Sequence, residues 1–171
     1  MNNSQNILRL NVGFVLHQTV GYKRDFLIEY PHVHLPPDLD LYNLSGTAWV
    51  TRVTNGLLLQ VELEAQITAE CARCLESLSQ PLEINFAEVY TFKQDSAIES
   101  GQVVPEDGVI DLQPLVREEM LLTIPINPLC SPDCIGLCPV CGGNRNVEPC
   151  NHEEHPGDPR LSVLKSLLKG G

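Results

Sequence analysis

Basic residues are scarce: 11 Lys and Arg stand against 22 Asp and Glu, for a formal charge of −11 over 171 residues. A nucleic-acid-binding stripe needs clustered cations to neutralise phosphates, and this chain lacks one. Aromatic residues are few as well, at 5% with a single Trp. Trp49 falls on an alternating segment and is expected in the core rather than on a base-stacking surface. Long apolar runs are missing: nowhere do eighteen apolar residues follow one another, and MNNSQNILRL has no basic region leading into an apolar stretch. Secreted and membrane-spanning classes are therefore disfavoured, and a cytosolic or organelle-stromal setting is expected. No Ser/His/Asp set, P-loop or paired-carboxylate spacing stands out, so no nucleophile has an obvious base and a non-enzymatic role is expected.

The negative charge is concentrated in the middle of the chain, where residues 61–129 hold 13 acidic and 3 basic residues. Such a stretch repels phosphate and attracts basic partners, although a solvated face that aids solubility would look the same. At this length one domain with a real core is expected. We divide it into N-terminal strands over 1–43, a sheet plus helix over 44–125, a cysteine loop over 126–157 and a C-terminal helix over 158–169. The fold class is α+β: an antiparallel β meander packed by one central helix and a C-terminal helix, with a metal-binding cysteine loop.

The period-two pattern is clearest in LLLQVELEAQITAEC. Leu57, Leu59, Val61, Leu63, Ala65, Ile67 and Ala69 alternate with polar residues including Glu62 and Glu64, which predicts a strand with one wet face. LSGTAWVTRVT precedes it across Asn55-Gly56, a strong hairpin signal. PLEINFAEVYTF follows, with Leu82, Ile84 and Phe86 on one side. ILRLNV and FLIEY add one or two strands near the start, and KQDSAIESGQVVPEDG (93–108) reads as a mobile acidic loop. A helix is predicted from Leu112 to about Thr123, capped by Asp111, with Leu112, Leu115, Val116 and Leu122 as its packing stripe. A second begins at Asp158-Pro159, with Leu161, Leu164, Leu167 and Leu168 on one face.

Cysteine is the residue present in excess, and the odd count of seven argues against a disulfide framework. The candidates are Cys71 and Cys74 (CARC, at the end of the alternating strand), Cys130, Cys134, Cys138, Cys141, Cys150 and His152. Cys-x2-Cys lets one tight turn supply two corners of a zinc tetrahedron. In CPVCGG the glycine after the second cysteine lets N–H groups face sulfur. Eight ligands suffice for two sites, so one or two Zn2+ ions are expected. One partition joins Cys71, Cys74, Cys130 and Cys134, leaving Cys138, Cys141, Cys150 and His152. A second faces the two Cys-x2-Cys knuckles; a third closes Cys130, Cys134, Cys138 and Cys141 on themselves. The first is preferred because it uses every candidate and staples the tail onto the sheet. His155 is an alternative to His152. Iron–sulfur ligation fits poorly, because the spacing departs from the ferredoxin order. A dithiol centre wants its first thiol at a helix N-terminus, whereas CPVC runs into GGNRN. Arg73 and Arg145, beside cysteines, are candidates to donate to thiolate sulfur or to meet an external phosphate, the former preferred. His17, His32 and His34 read as ordinary surface positions.

CARCLE (71–76), GVIDLQPLVREEMLLTIP (108–125), LCSPDCIGLCPVCGGNRN (129–146) and DPRLSVLKSLL (158–168) together resemble the YceD family, bacterial and plastid proteins associated with accumulation of large-subunit ribosomal RNA. Two departures are visible: Cys150-Asn151-His152 replaces the family's usual Cys-x-Cys, and Asn144-Arg145-Asn146 replaces Asn-Leu-Asn. The resemblance implies a non-enzymatic factor in large ribosomal subunit biogenesis, in the bacterial cytoplasm or the plastid stroma. The acidity then implies a basic protein as direct partner, either a large-subunit ribosomal protein or an rRNA-processing factor. Contact with rRNA would be indirect or weak, through Arg73, Arg145, Arg160, Lys165 and Lys169. No membrane and no small-molecule substrate are implied. The alternative is a thiol-based redox enzyme or sensor using Cys138 and Cys141.

Overall fold

In the computed structural model, residues 7–92 and 102–152 are described. Four long strands run in sequence as an antiparallel meander: β2 (Lys23–Leu35), β3 (Leu39–Val53), β4 (Gly56–Glu70) and β5 (Ser77–Thr91). The short β6 (Gln102–Val103) adds to β5 in parallel, and β1 (Arg9–Asn11) pairs antiparallel with β7 (Val109–Asp111) as a separate ribbon. One α-helix, α1 (Gln113–Thr123), is present among the described residues. The described fold is thus predominantly β, a mainly antiparallel sheet with one packed helix. The C-terminal helix expected from Asp158 lies outside the described residues, as do Arg160, Lys165 and Lys169. Within 93–108, expected to be loop throughout, residues 93–101 are likewise outside. Gln102–Val103 pair with Tyr90 and Thr91, so that part is strand.

The alternation of β4 sets which face is dry. Leu57, Leu59, Val61, Leu63, Ala65 and Ile67 are buried, and the polar residues between them are exposed. On β3 the buried leucines Leu41 and Leu44 are three apart, which a regular strand cannot point to one side. A bulge resolves this: Tyr42 pairs with Gln66 and Ser45 with Glu64, so Asn43 and Leu44 together oppose Ala65, with Asn43 at φ 52°. Trp49, expected in the core, lies on the wet face instead, because the neighbours that bury are Ala48 and Val50. The hairpin forms where expected, but its loop residues are Thr54 and Asn55, with Gly56 already paired to Val53. Gly56 is required for another reason: a Cβ there would stand 2.0 Å from the carbonyl oxygen of Tyr90 on β5.

The dry face is covered by α1 and the β1–β7 ribbon. Asp111 Oδ1 accepts the N–H of Gln113 at 2.9 Å, which caps the first turn. The buried stripe of α1 is Leu112, Val116 and Met120. Leu122, assigned to that stripe from sequence, is 76% exposed; at ~100° per residue it lies on the far side of the helix from Met120. Arg117 anchors the helix to the β2–β3 hairpin, donating to Leu35 O at 3.1 Å and to Asp38 Oδ1 at 2.6 Å. Ile124 is extended at ψ 121°, as a residue before Pro125 prefers, and the chain turns toward the cysteines. Among the described residues no helix is long and apolar enough to cross a membrane.

Candidate metal centre

The end of the β4–β5 hairpin carries the first Cys-x2-Cys. Cys71 N donates to Glu76 O, and Leu75 N donates back to Cys71 O at 2.9 Å, folding residues 71–75 into a knuckle with Leu75 at φ 61°. CPVCG repeats this geometry: Gly142 N donates to Cys138 O at 2.8 Å, with Gly142 at φ 72°. N–H groups face sulfur in this knuckle, as expected around that glycine: Val140 N donates to Cys138 Sγ at 3.4 Å. The first puts a leucine in the same left-handed place.

Loop and hairpin are fastened together by backbone. Ala72 N donates to Pro128 O (2.8 Å) and Leu137 N to Arg73 O (3.0 Å). Gly136 permits this approach, since a Cβ there would lie 2.9 Å from Arg73 O. The Arg73 guanidinium donates to the carbonyls of Cys134 (2.8 Å) and Pro132 (3.4 Å), so it clamps the loop backbone rather than a sulfur. Arg145 is exposed. The side chain that reaches sulfur is Asn146, whose Nδ2 lies 3.3 Å from Cys134 Sγ while its Oδ1 accepts Ile135 N at 2.8 Å. Asn144 in turn joins Asn146 to Glu76 through its Oδ1 and Nδ2. Sequence reasoning missed both asparagines, although their symmetrical placement after the knuckle was a signal. The Arg145 that departs from Asn-Leu-Asn sits between them, pointing outward.

These contacts gather two sets of ligand atoms, each with all members within 4.8 Å of one another: Cys71, Cys74, Cys130 and Cys134, and Cys138, Cys141, Cys150 and His152. Facing-knuckle and single-loop groupings do not occur among these sets. In the first set Cys71, Cys74 and Cys134 are buried and Cys130 is exposed; in the second only Cys138 is buried. His155 lies outside the described residues.

The donor chemistry fits a tetrahedral divalent ion. Cys71 and Cys134 sulfurs are 3.8 Å apart, and those of Cys74 and Cys130 are 3.5 Å apart. A disulfide requires about 2.05 Å, whereas zinc–sulfur bonds of ~2.3 Å give tetrahedral edges of about 3.8 Å. Each set also holds one thiol prepared as thiolate. Cys71 is lowered to about 6, chiefly by the N–H of Cys130, with those of Arg73 and Cys74 assisting against burial. Cys138 is lowered to about 6 by the N–H groups of Cys141 and Val140. Their neighbours move the other way: Cys130 rises to about 12, mainly through its contact with the Cys74 thiol, and Cys150 to about 11 through Cys138. For Cys74 the N–H of Glu76 lowers the pKa, but burial and the Cys71 and Cys134 thiols outweigh it. Crowded thiols cannot all ionise together without a cation. With one, four ligands close the shell and leave no open position, which is the pattern of a structural site.

Of the histidines set aside from sequence, His32 and His34 share one acceptor, Asp40 Oδ1, at 3.0 Å each. His34 first and His32 second hold the Asp40 carboxyl below its ordinary value.

Comparison with known proteins adds to this geometry. A sequence model described as "Large ribosomal RNA subunit accumulation protein YceD" matches residues 59–168. An uncharacterized protein of Mycobacterium tuberculosis (strain ATCC 25618 / H37Rv) is 33% identical over 161 residues, covering 91% of this chain and 74% of its own. An uncharacterized protein of Bacillus subtilis (strain 168) is 35% identical over 116 residues, covering 64% of this chain and 67% of its own. A maize (Zea mays) protein named "Large ribosomal RNA subunit accumulation protein YCED homolog 1, chloroplastic" is 27% identical over 154 residues, covering 70% of this chain and 52% of its own. No solved structure matches.

Proposed function

The chain belongs to the YceD family, and on that premise we propose that it is a non-enzymatic, zinc-holding factor in large ribosomal subunit biogenesis, supporting accumulation of 23S-type RNA through protein or ribonucleoprotein contacts. The observation that carries this reading is the family match running across both cysteine sets and the strands that hold them. Cys71, Cys74, Cys130 and Cys134 would hold one Zn2+, and Cys138, Cys141, Cys150 and His152 a second. The metal would supply no reaction step; it would cross-link the loop to the hairpin end, where structural zinc contributes ~10–16 kcal/mol in small peptides. The direct partner would be a basic ribosomal protein or processing factor, because a chain of charge −11 is repelled by naked RNA. The setting would be bacterial cytoplasm or plastid stroma.

The test is removal of the gene in the source cell, with large- and small-subunit RNA quantified from gradient-separated ribosomes. The expected result is a selective fall in large-subunit RNA, restored by the intact chain. Equal amounts of both RNAs with and without the gene would overturn the reading. Native mass spectrometry should find two zinc ions per chain, and one ion alone would remove the second site. Fast alkylation of Cys138 in zinc-loaded protein would favour the thiol-redox alternative.

A further inference from the structure

The meander has two faces, and only one is accounted for. Among the described residues, α1 and the β1–β7 ribbon cover the dry face, and no element covers the other. Register places the side chains of the open face in rows across the strands. Glu29, Ser45, Glu64 and Glu83 form one row; Leu27, Thr47, Glu62 and Asn85 form the next. Asp25, Trp49, Gln60 and Ala87 form a third, and Lys23 begins the fourth. These four rows bring together five carboxylates and one ammonium. Folding has therefore redrawn the acidic stretch seen in the sequence. Asp25 and Glu29 join the face from β2, while Glu106, Glu118 and Glu119 are carried off it, in the turn before β7 and on α1.

Two features show that this charge is more than a solvated coat. Glu64 and Glu83 are direct cross-strand partners, an arrangement that destabilises a sheet. Among the described residues none of Glu29, Glu62, Glu64 and Glu83 has an ion-pair partner. Between Glu62, Glu64, Glu83 and Trp49 lies an open depression of about 530 Å³, lined also by Thr47 and Asn85. Its indole already receives one ammonium, with Lys23 Nζ 4.9 Å from the ring centre. An anionic row beside an aromatic face suits a cationic side chain that leaves water on binding.

We infer that this open face docks an Arg- or Lys-rich segment of a protein partner, laid across β3–β5 with its cations on Glu62, Glu64 and Glu83 and one on Trp49. The inference deepens the proposed function by giving the basic partner its contact surface, and it excludes RNA from that surface.

The test compares the full zinc-loaded chain with E62Q/E64Q/E83Q, and with E106Q/E118Q/E119Q as a control of equal charge change on other surfaces. The E62Q change keeps a side-chain oxygen to accept Asn85 Nδ2, which lies 3.3 Å from the Glu62 carboxylate. Two readouts are used: co-sedimentation with precursor large subunits, and affinity for a synthetic alternating Arg/Ser decapeptide at several salt concentrations. A photo-crosslinker at Thr47 identifies the neighbour on the particle. The expected result is a loss of at least tenfold in both readouts for the face variant only, with a flatter salt dependence and a Thr47 crosslink to a basic protein. Co-sedimentation unchanged in the face variant, or a Thr47 crosslink to RNA or to a second copy of this chain, would overturn the docking surface and leave the ribosomal reading standing. Intact chain that fails to co-sediment but binds the peptide through these glutamates would overturn the ribosomal reading and keep the surface. Peptide affinity equal in the face variant and the control would sink the surface in either case.

Discussion

Leu75 and Gly142 occupy equivalent left-handed places after the two knuckles, at φ 61° and 72°. A leucine pays roughly 1–2 kcal/mol for that conformation, and Leu75 recovers little by burial, being 60% exposed. L75G should therefore raise the unfolding free energy read from thermal melts of the zinc-loaded protein, by about 0.5–1 kcal/mol once glycine's added unfolded-state entropy is subtracted. G142A should lower it by ~1–2 kcal/mol. If both changes destabilise equally, the two knuckles are not equivalent. Asn146 presents a different case, because one side chain serves both Cys134 Sγ and the N–H of Ile135. Outer partners of metal ligands typically matter ~10–100-fold in affinity. Competition with a chromophoric zinc chelator should show N146A losing affinity in that range at the first site, while R145L leaves it unchanged. A large loss in R145L would mean that the guanidinium, not the amide, supports the sulfur.

At the scale of elements, α1 separates what periodicity reveals from what it hides. Met120 is fully buried and Leu122 is not, so M120A should cost ~2–5 kcal/mol in urea unfolding and L122A under about 0.5 kcal/mol; the reverse order would turn the helix over on the sheet. The stripe read from sequence ran on through Leu115 to Leu122, on the other flank of Leu112 from Val116 and Met120, and only the contacts with β5 decide between the two flanks. The same limit applied to β3. Strict alternation was readable in β4 from Leu57 to Ile67, but the bulge at Asn43–Leu44 shifts the phase of β3 with no local warning beyond the asparagine. The phase there put Trp49 on the open face. For the cysteines, spacing made each knuckle legible on its own. That Cys71 and Cys74 meet Cys130 and Cys134 depends on where α1 delivers the chain, which is a tertiary fact. Between β5 and β7, Tyr90 supplies a pH prediction. Burial, then the charges of Glu88 and Asp111, raises its phenol to about 12. The unfolded chain loses this proton near 10 while the folded one keeps it, so the unfolded state binds fewer protons. Stability contributed here is complete below about pH 10 and falls as pH rises toward 12. Y90F should flatten that alkaline decline in urea midpoints, and an unaltered slope would reject the assignment.

Across the whole molecule, the apolar core and the cysteine cluster are separate bodies of packing. The core draws on the meander, β1, β7 and α1 and contains no cysteine; the cluster consists of Cys71, Cys74 and Cys134 with Leu78, Leu129 and Leu137 against it. The core has enough buried side chains, at ~1.5–3 kcal/mol each, to fold without metal. The loop brings only Leu129 and Leu137 to that cluster and must be held by its ligands. Zinc removal should therefore unfold the molecule in two parts. Under a strong chelator at neutral pH, residues 129–152 should lose hydrogen-exchange protection. β3–β5 should keep theirs, and the far-ultraviolet β signal should persist. Acid should act in the same direction as the chelator, because protons compete with zinc for thiolate, so zinc release should grow as pH falls and reverse on return to neutrality. This separation matters for the acidic face, which belongs to the body that survives: binding of the basic peptide should outlast zinc removal. If peptide binding and β signal vanish together with the metal, the sheet depends on zinc and the two bodies are one.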